Sequence, residues 1–463
     1  MVKLTFLGAT GTVTGSKYLL DTGQHRILID DGLFQGPRQH RRRNWDPLPV
    51  EPSSIHAVVA THGHVDHIGV FPRLCAHGFG GRAYASRGTV DVAHVVLPDS
   101  GRLQEEDARY ANRKGYSRHK PAVPLYTEKD AKRSLKQFQR CRYHEQVEVA
   151  PGVRAEFIPA GHIAGSAHVR ISIKRAKGEV LRILFSGDVG PYDAPIMVDP
   201  SPVPDCDVLL TESTYGNRDH PDVDPRDELA ELVTTTLARG GRVLIPAFAI
   251  GRSQEVLYLL HELQNEGRIP DVPIVLDSPM AQRATQVLLS HPEDHDEEMA
   301  ERTRRGNPLA FNKVSYSRRT RRSRAHARSK QPAIVVAASG MLAGGRVLFH
   351  LKNMIGNPRN AVLLTGFQAW GTRGRRMLEG EPEIKMHGEW FPVKCQVSMI
   401  HRLSAHADRS QMLRWLGTAE TPPSRTFVVH GEPRASAAFR DRIESDLGWN
   451  AEIPEYLQTY ELD

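Results

Sequence analysis

Seven consecutive residues, Thr61-His62-Gly63-His64-Val65-Asp66-His67, hold three histidines and one aspartate. Imidazole nitrogen and carboxylate oxygen are the donors that borderline divalent metals such as zinc accept. His62 and His64 are two apart, so on extended or turning backbone they can point the same way. Asp66 and His67 are adjacent and can point at a different place, with room for a second metal. The plainer alternative is a solvated, histidine-rich turn. It does not explain four donors packed directly behind an apolar run.

That run, Ala57-Val58-Val59-Ala60, is short, apolar and bounded by polar residues, which reads as a strand. Ile68-Gly69-Val70-Phe71 and a helix-like stretch follow, so the cluster sits on a turn from strand to helix. Similar strand ends recur. Ile27-Leu28-Ile29 leads into Asp30-Asp31-Gly32, where the alternative is an ordinary Asp-Gly turn. A strand over 153–159 leads to Gly161-His162-Ile163-Ala164-Gly165, whose glycines allow close backbone approach. A strand over 181–185 leads to Ser186-Gly187-Asp188, and one over 208–210 to Thr211-Glu212. His168 lies on the next strand and matches no motif.

The early turn resembles the His-x-His-x-Asp-His signature of the metallo-β-lactamase superfamily. Four later segments, in order, resemble its β-CASP branch: Glu212-Ser213-Thr214-Tyr215-Gly216, Ala337-Ala338-Ser339-Gly340-Met341, Gly366-Phe367-Gln368-Ala369 and Ser404-Ala405-His406-Ala407-Asp408. Val428-Val429-His430-Gly431-Glu432 also resembles that branch's late strand-to-helix turn. The resemblance covers essentially the whole chain. It implies an α/β fold: a metallo-β-lactamase αββα sandwich with an inserted β-CASP domain built on a doubly wound, mostly parallel sheet. The expected limits are 1–204 and 366–463 for the sandwich and 205–365 for the insert. Alternating helix and strand patterns over 227–338 independently suggest such a parallel sheet.

By the same resemblance, His62, His64, His162 and Asp188 form one metal site. Asp66, His67, Asp188 and His406 form the other, with Asp188 bridging. Asp30 orients ligands without binding metal, as a carboxylate behind a metal site does. Glu212 positions substrate or assists proton transfer. Two zinc ions per chain are implied, or manganese in their place. Ser339 and Gly340 can offer hydroxyl and backbone N–H groups to a phosphate. RNA-cleaving members carry a histidine after a Gly-Thr in this region. Here Gly371-Thr372-Arg373-Gly374-Arg375-Arg376 offers arginines, which clamp phosphate but cannot act as acids. Arg375 and Arg376 are therefore expected to bind substrate, and water or His401 to supply the proton.

The implied activity is hydrolysis of single-stranded RNA by a hydroxide activated between two metals. Internal and 5′-terminal cleavage remain open, as does DNA. A same-fold hydrolase of a small ester, thioester or phosphodiester is the alternative. A non-catalytic nucleic-acid-binding relative would be expected to lose ligands first. The resemblance also admits a homodimer.

Composition sets looser bounds. A chain of 463 residues calls for two or three domains. No run of about 18 apolar residues exists, so no membrane span is expected. The N-terminus reads as a first strand rather than a signal peptide. The four cysteines are scattered without a C-x-x-C pair, against a disulfide framework and for a cytoplasmic home. Net charge is +7, a mild bias compatible with an anionic partner. The excess of arginine over lysine fits phosphate recognition or a GC-rich genome equally. Residues 90–103 and 127–140 have helical spacing, and 105–120 reads as a charged surface loop or irregular helix. Lys313 to Lys330 holds eight basic residues and no acidic one. It reads either as a backbone-binding patch or as a solvated segment.

Overall fold

A computed structural model describes residues 1–462 except 116, 118, 176–177, 307, 310–313, 317–319 and 401. The chain divides into two compact units, Met1–Asp219 with His406–Asp463, and His220–Ala405. In chain order the first unit contributes β1 (Val2–Phe6), β2 (Tyr18–Asp21), β3 (Arg26–Ile29), β4 (Ala57–Val59), β5 (Arg82–Ser86), β6 (Phe138–Cys141), β7 (Gln146–Ala150), β8 (Val153–Pro159), β9 (Ala167–Lys174), β10 (Val180–Phe185) and β11 (Val208–Glu212). The second unit contributes β12 (Val243–Pro246), β13 (Ile274–Leu276), β14 (Val314–Tyr316), β15 (Ile334–Ala337), β16 (Ala361–Leu364), β17 (Glu383–Met386), β18 (Glu389–Pro392) and β19 (Gln396–Met399). The chain then returns to the first unit for β20 (Arg425–Val429), β21 (Ala451–Glu452) and β22 (Thr459–Leu462).

The first unit stacks two sheets, ordered β22-β1-β2-β3-β4-β5-β6 and β21-β20-β11-β10-β9-β8-β7. Their facing sides share one apolar core. Phe6 meets Phe427 edge to face at 5.0 Å between ring centroids, and Tyr18 lies 5.7 Å from Phe185. Strand residues alternate between faces, so the other sides also need cover. Leu19, Leu28 and Val58 pack on Phe71, Val90 and Leu97 of two helices. Leu184, Leu209 and Val428 pack on Met412, Trp415 and Phe439 of two more. The layers are therefore helix, sheet, sheet, helix: the αββα sandwich expected from the sequence.

The second unit is an inserted sheet ordered β14-β13-β15-β12-β16-β19, parallel at every pairing, with a β17–β18 hairpin. This is the doubly wound sheet expected. The expected limits at 204/205 and 365/366 move to 219/220 and 405/406. β11 hydrogen-bonds to β10 and β20 of the sandwich, which keeps 208–212 in the first unit. β19 extends the inserted sheet through β16, which keeps 396–399 in the second.

Residues 105–114, read as a charged surface loop or irregular helix, continue one helix, Arg87–Lys114. They carry good helix formers and an Arg102–Glu106 pair at 3.1 Å. The helix stops at Gly115, in left-handed conformation at φ +68°. Of 127–140, only Glu128–Ser134 is α-helical, and 138–141 is the edge strand β6. Among the described residues, no helix is long and apolar enough to cross a membrane.

Candidate metal centre

Six strands of the sandwich end at one place. Asp30 follows β3, His62 follows β4, His162 follows β8, Asp188 follows β10, Glu212 closes β11 and His430 follows β20. β3 and β4 run parallel, as do β10, β11 and β20, so their carboxyl ends line up. Open α/β sheets gather ligands at such an edge.

Local bonding fixes each loop. Ser166 closes the His162 turn: its hydroxyl accepts the N–H of His162 at 3.0 Å and of Ile163 at 3.2 Å. Gly165 sits at φ +83°, and a Cβ there would lie 2.0 Å from the Thr89 nitrogen, so only glycine lets this turn press on the long helix. Thr89 Oγ1 donates to the Gly165 carbonyl at 2.7 Å. The Asp66–His67 turn is stitched by Ser16 N–H to Asp66 O at 2.8 Å and Asp31 N–H to His67 O at 2.7 Å.

His62 Nε2 lies 3.1 Å from His64 Nδ1, which lies 3.1 Å from His162 Nε2. Asp188 Oδ2 lies 3.4 Å from His62 Nε2 and 3.5 Å from His162 Nε2. Donors bound tetrahedrally to zinc at its usual bond lengths stand about 3.3–3.5 Å apart. These four donor atoms fit one cation. The other Asp188 oxygen, Oδ1, lies 3.3 Å from His67 Nε2 and 3.5 Å from His430 Nδ1. His430 Nε2 is 3.7 Å from Asp66 Oδ2. His67 Nε2, His430 Nε2 and Asp188 Oδ1 are buried and have no hydrogen-bond partner. Leaving them so is costly, and a second cation among them would satisfy all three.

The electrostatics suit such a role. Burial, reinforced by the neighbouring His67, holds the His62 imidazole well below its usual pKa. Burial also depresses His64. Both rings are therefore neutral, with lone pairs to give. Burial opposes charge on Asp188, yet His430, His67 and His62 overcome it and hold the carboxyl well below the ordinary range. Burial opposes charge on His67 as well, but Asp188 and Asp30 outweigh it and raise the ring. Asp30 is 1% exposed and holds His67 Nδ1 at 2.7 Å, while accepting the Thr61 N–H at 2.8 Å and the Ser16 hydroxyl at 3.1 Å. With Nδ1 donating to Asp30, Nε2 is the His67 atom that faces the centre, and a cation there would take the place of its proton.

His406 takes a different place from the one expected. The seat beside Asp66 and His67 belongs to His430. Glu212 pairs with Val429 on the neighbouring strand, so the residue after β20 falls directly at the site. His406 Nδ1 instead lies 3.1 Å from both oxygens of Glu212. Glu212 is buried and also accepts the Val189 N–H at 2.6 Å and the Thr214 hydroxyl. Burial opposes charge on His406, but Glu212 overcomes it and lifts the pKa to about 9. The ring stays at the centre, 4.6 Å from that of His162. A protonatable histidine thus stands at the site, in addition to the water and His401 expected as proton sources. His401 lies outside the described residues.

His430 was the ligand-type residue the sequence reading passed over. Its signal was there: a buried strand ending in His-Gly, then a proline-started helix, much as β4 ends before His62 and Gly63.

The expected substrate-binding residues lie in the second unit. Ser339 Oγ accepts the Ala343 N–H at 3.0 Å, and the Gly340 carbonyl accepts from Gln368 at 3.2 Å. Arg375 pairs with Glu379 at 2.7 Å and Arg376 with Glu381, so each arginine already has a carboxylate partner. Of the basic run, Lys313, Arg318 and Arg319 lie outside the described residues. Residues 320–328 form a helix that buries Ser323 and Ala327 and exposes Arg321, Arg322, Arg324 and Arg328.

A sandwich with histidines and carboxylates at its strand ends, interrupted by a parallel-sheet insert, defines a metal-dependent hydrolase of the metallo-β-lactamase type. Residues 25–245 match the beta-lactamase superfamily domain, 253–377 the Beta-Casp domain, and 390–454 the Zn-dependent metallo-hydrolase RNA specificity domain. The chain belongs to the β-CASP branch of the metallo-β-lactamase superfamily. It is 35% identical to Ribonuclease TTHA0252 of Thermus thermophilus over 433 residues, 93% of each chain. It is 32% identical to the transcription termination factor FttA of Methanosarcina mazei, covering 100% of this chain and 72% of that one. An RNase J-like protein of Methanocaldococcus jannaschii is 28% identical over 99% of this chain and 98% of its own. A crystal structure of a protein of unknown function from Enterococcus faecalis superposes with a TM-score of 0.52 at 13% identity over the whole of both chains, a likeness of fold.

Proposed function

We propose that this chain is a zinc-dependent ribonuclease that hydrolyses single-stranded RNA at a two-metal centre. The observation that carries this reading is the split of the Asp188 carboxylate. One oxygen faces His62 and His162, the other faces His67 and His430. A carboxylate so placed would serve two cations at once. The Thermus relative's name supplies the substrate class.

His62, His64, His162 and Asp188 would hold one ion, and Asp66, His67, His430 and Asp188 the other. When bound, the ions supply an acidified water and neutralise phosphate charge. The chain's own residues do the rest. Asp30 and Thr61 keep the His67 ring in the tautomer that presents Nε2. Glu212 fixes His406 through Nδ1, which leaves Nε2 as the atom that would pass a proton to the leaving oxygen. His406 thus takes the donor role that the arginines at 375 and 376 cannot fill.

The test is cleavage of 5′- and 3′-labelled single-stranded RNA by zinc-loaded protein, with Asp188→Ala alongside. Internal fragments or 5′ mononucleotides from the intact protein alone support the reading, and the pattern fixes its mode. Intact RNA in the presence of confirmed zinc overturns it and directs attention to small esters.

A further inference from the structure

Immediately after the metal-orienting Asp30, the chain forms a loop that the mechanism leaves unused. It is tied to the ligand turn by backbone bonds: Leu33 N–H to Val65 O at 2.8 Å and Val70 N–H to Asp31 O at 2.8 Å. Asn44 is 8% exposed and locks the loop shut. Its Oδ1 accepts the Phe34 N–H and its Nδ2 donates to the Phe34 carbonyl, both at 2.8 Å. Arg43 is pinned over the Tyr456 ring at 4.0 Å.

What the locked loop displays is basic and aromatic. Residues 35–50 contain four arginines and a single acidic residue, Asp46. Arg41 and Arg42 are exposed and have no ion-pair partner among the described residues. Half-buried arginines on two other helices each take a glutamate four residues away, Arg302 with Glu298 and Arg375 with Glu379, both at 2.7 Å. Trp45 follows and is 49% exposed. Arg73 holds its carbonyl at 3.0 Å and places a guanidinium 5.4 Å from its ring. The backbone N–H of Trp45 bonds to the Arg42 carbonyl at 2.9 Å, so one short turn carries both an exposed indole and unpaired arginines, the combination that binds single strands. Arginines take phosphates, and the ring offers a sequence-tolerant stacking face.

We propose that residues 35–45 form a docking ledge for single-stranded RNA leading out of the metal centre, with Arg41 and Arg42 on backbone phosphates and Trp45 stacked on a base. This rests on the ribonuclease reading. The ledge adds affinity and leaves the chemical step alone.

The test uses the zinc-loaded full chain, a labelled single-stranded RNA that extends beyond the metal centre, and bis-p-nitrophenyl phosphate. The variants are Trp45→Ala, Trp45→Phe and the double change Arg41→Gln with Arg42→Gln. Trp45→Ala is expected to raise KM for RNA about tenfold, with the loss falling on KM rather than kcat, and Trp45→Phe to restore most of it. The double arginine variant is expected to flatten the slope of log Kd against log salt by about 1.4, two phosphates' worth for a single strand. Wild-type KM and salt slope in every variant, alongside normal RNA cleavage by the parent, would overturn the ledge and leave the ribonuclease standing. Hydrolysis of the chromogenic diester without any RNA cleavage by the parent would overturn the ribonuclease reading, and the ledge with it.

Discussion

Glu212 grips His406 through a single nitrogen, Nδ1, 3.1 Å from each carboxylate oxygen. Among the described residues His406 joins none of the donor clusters, whereas His430 stands in two, one with Asp66 and His67 and one with Asp188 and Glu212. The two histidines should therefore fail differently. His406→Ala is expected to keep its metal content and lose about 10²–10⁴ in kcat on RNA, the usual worth of a positioned proton donor. His430→Ala should lose metal from the second set. Elemental analysis beside single-turnover rates decides, and metal loss in His406→Ala would return that residue to the ligands.

Asp30 acts on the centre through His67. Asp30→Asn keeps the shape of the side chain but can present an N–H to Nδ1. The ring would then carry its proton on Nε2, pointing at the place where a cation should sit. Metal affinity of the second set is expected to fall by about 10–100-fold, read by chelator competition. Asp30→Glu, which keeps the acceptor, should recover part of it if backbone space allows.

Much of this centre was legible in the chain because its donors lie at the ends of buried strands. His62, His64, Asp66 and His67 announce themselves by density, and the parallel insert by its alternating pattern. The error at His406 has a physical cause. Both His406 and His430 lie two residues ahead of a helix N-cap, Asp408 and Glu432, and only the β11–β20 register decides which ring reaches Asp66 and His67. Strand pairing across some 200 residues is not written in local spacing. Over 105–114 the sequence left loop and irregular helix both open, and the helix is what forms. It is stabilised by propensity and by the Arg102–Glu106 pair on an exposed face, so no apolar stripe marks it. Arg375 and Arg376 looked available for phosphate because the sequence does not show that Glu379 and Glu381 take them.

Removing the metal should loosen the sandwich. Without it, His67 Nε2, His430 Nε2 and Asp188 Oδ1 remain buried and unpaired. Metal held at a thousandfold over its Kd contributes about 4 kcal/mol, on the order of 10 °C in melting temperature for a unit of this size. Chelation is expected to lower the melting temperature of the parent by that amount and that of Asp188→Ala by much less. Equal shifts in both would place the stabilising ion elsewhere.

His168 supplies a pH dependence separate from the metal. It is wholly buried, stacks on Trp415 at 4.7 Å between centroids, and holds the Ser186 carbonyl through Nδ1 at 2.7 Å. Burial pushes its pKa down to about 4, against about 6.5 in an unfolded chain. The folded pKa is depressed, so between these values the unfolded chain takes up a proton that the folded one refuses. Stability is complete above pH 6.5 and falls as the pH drops through this window, by about 2 kcal/mol at pH 5 from this group alone. His168→Asn keeps a donor near the Nδ1 position and cannot charge. It should be the less stable protein at pH 7.5, having lost the stacking on Trp415, and the gap should narrow or reverse at pH 5. Urea midpoints of both proteins at the two pH values measure this. A gap that stays constant would mean that another buried group, not His168, sets the acid limit.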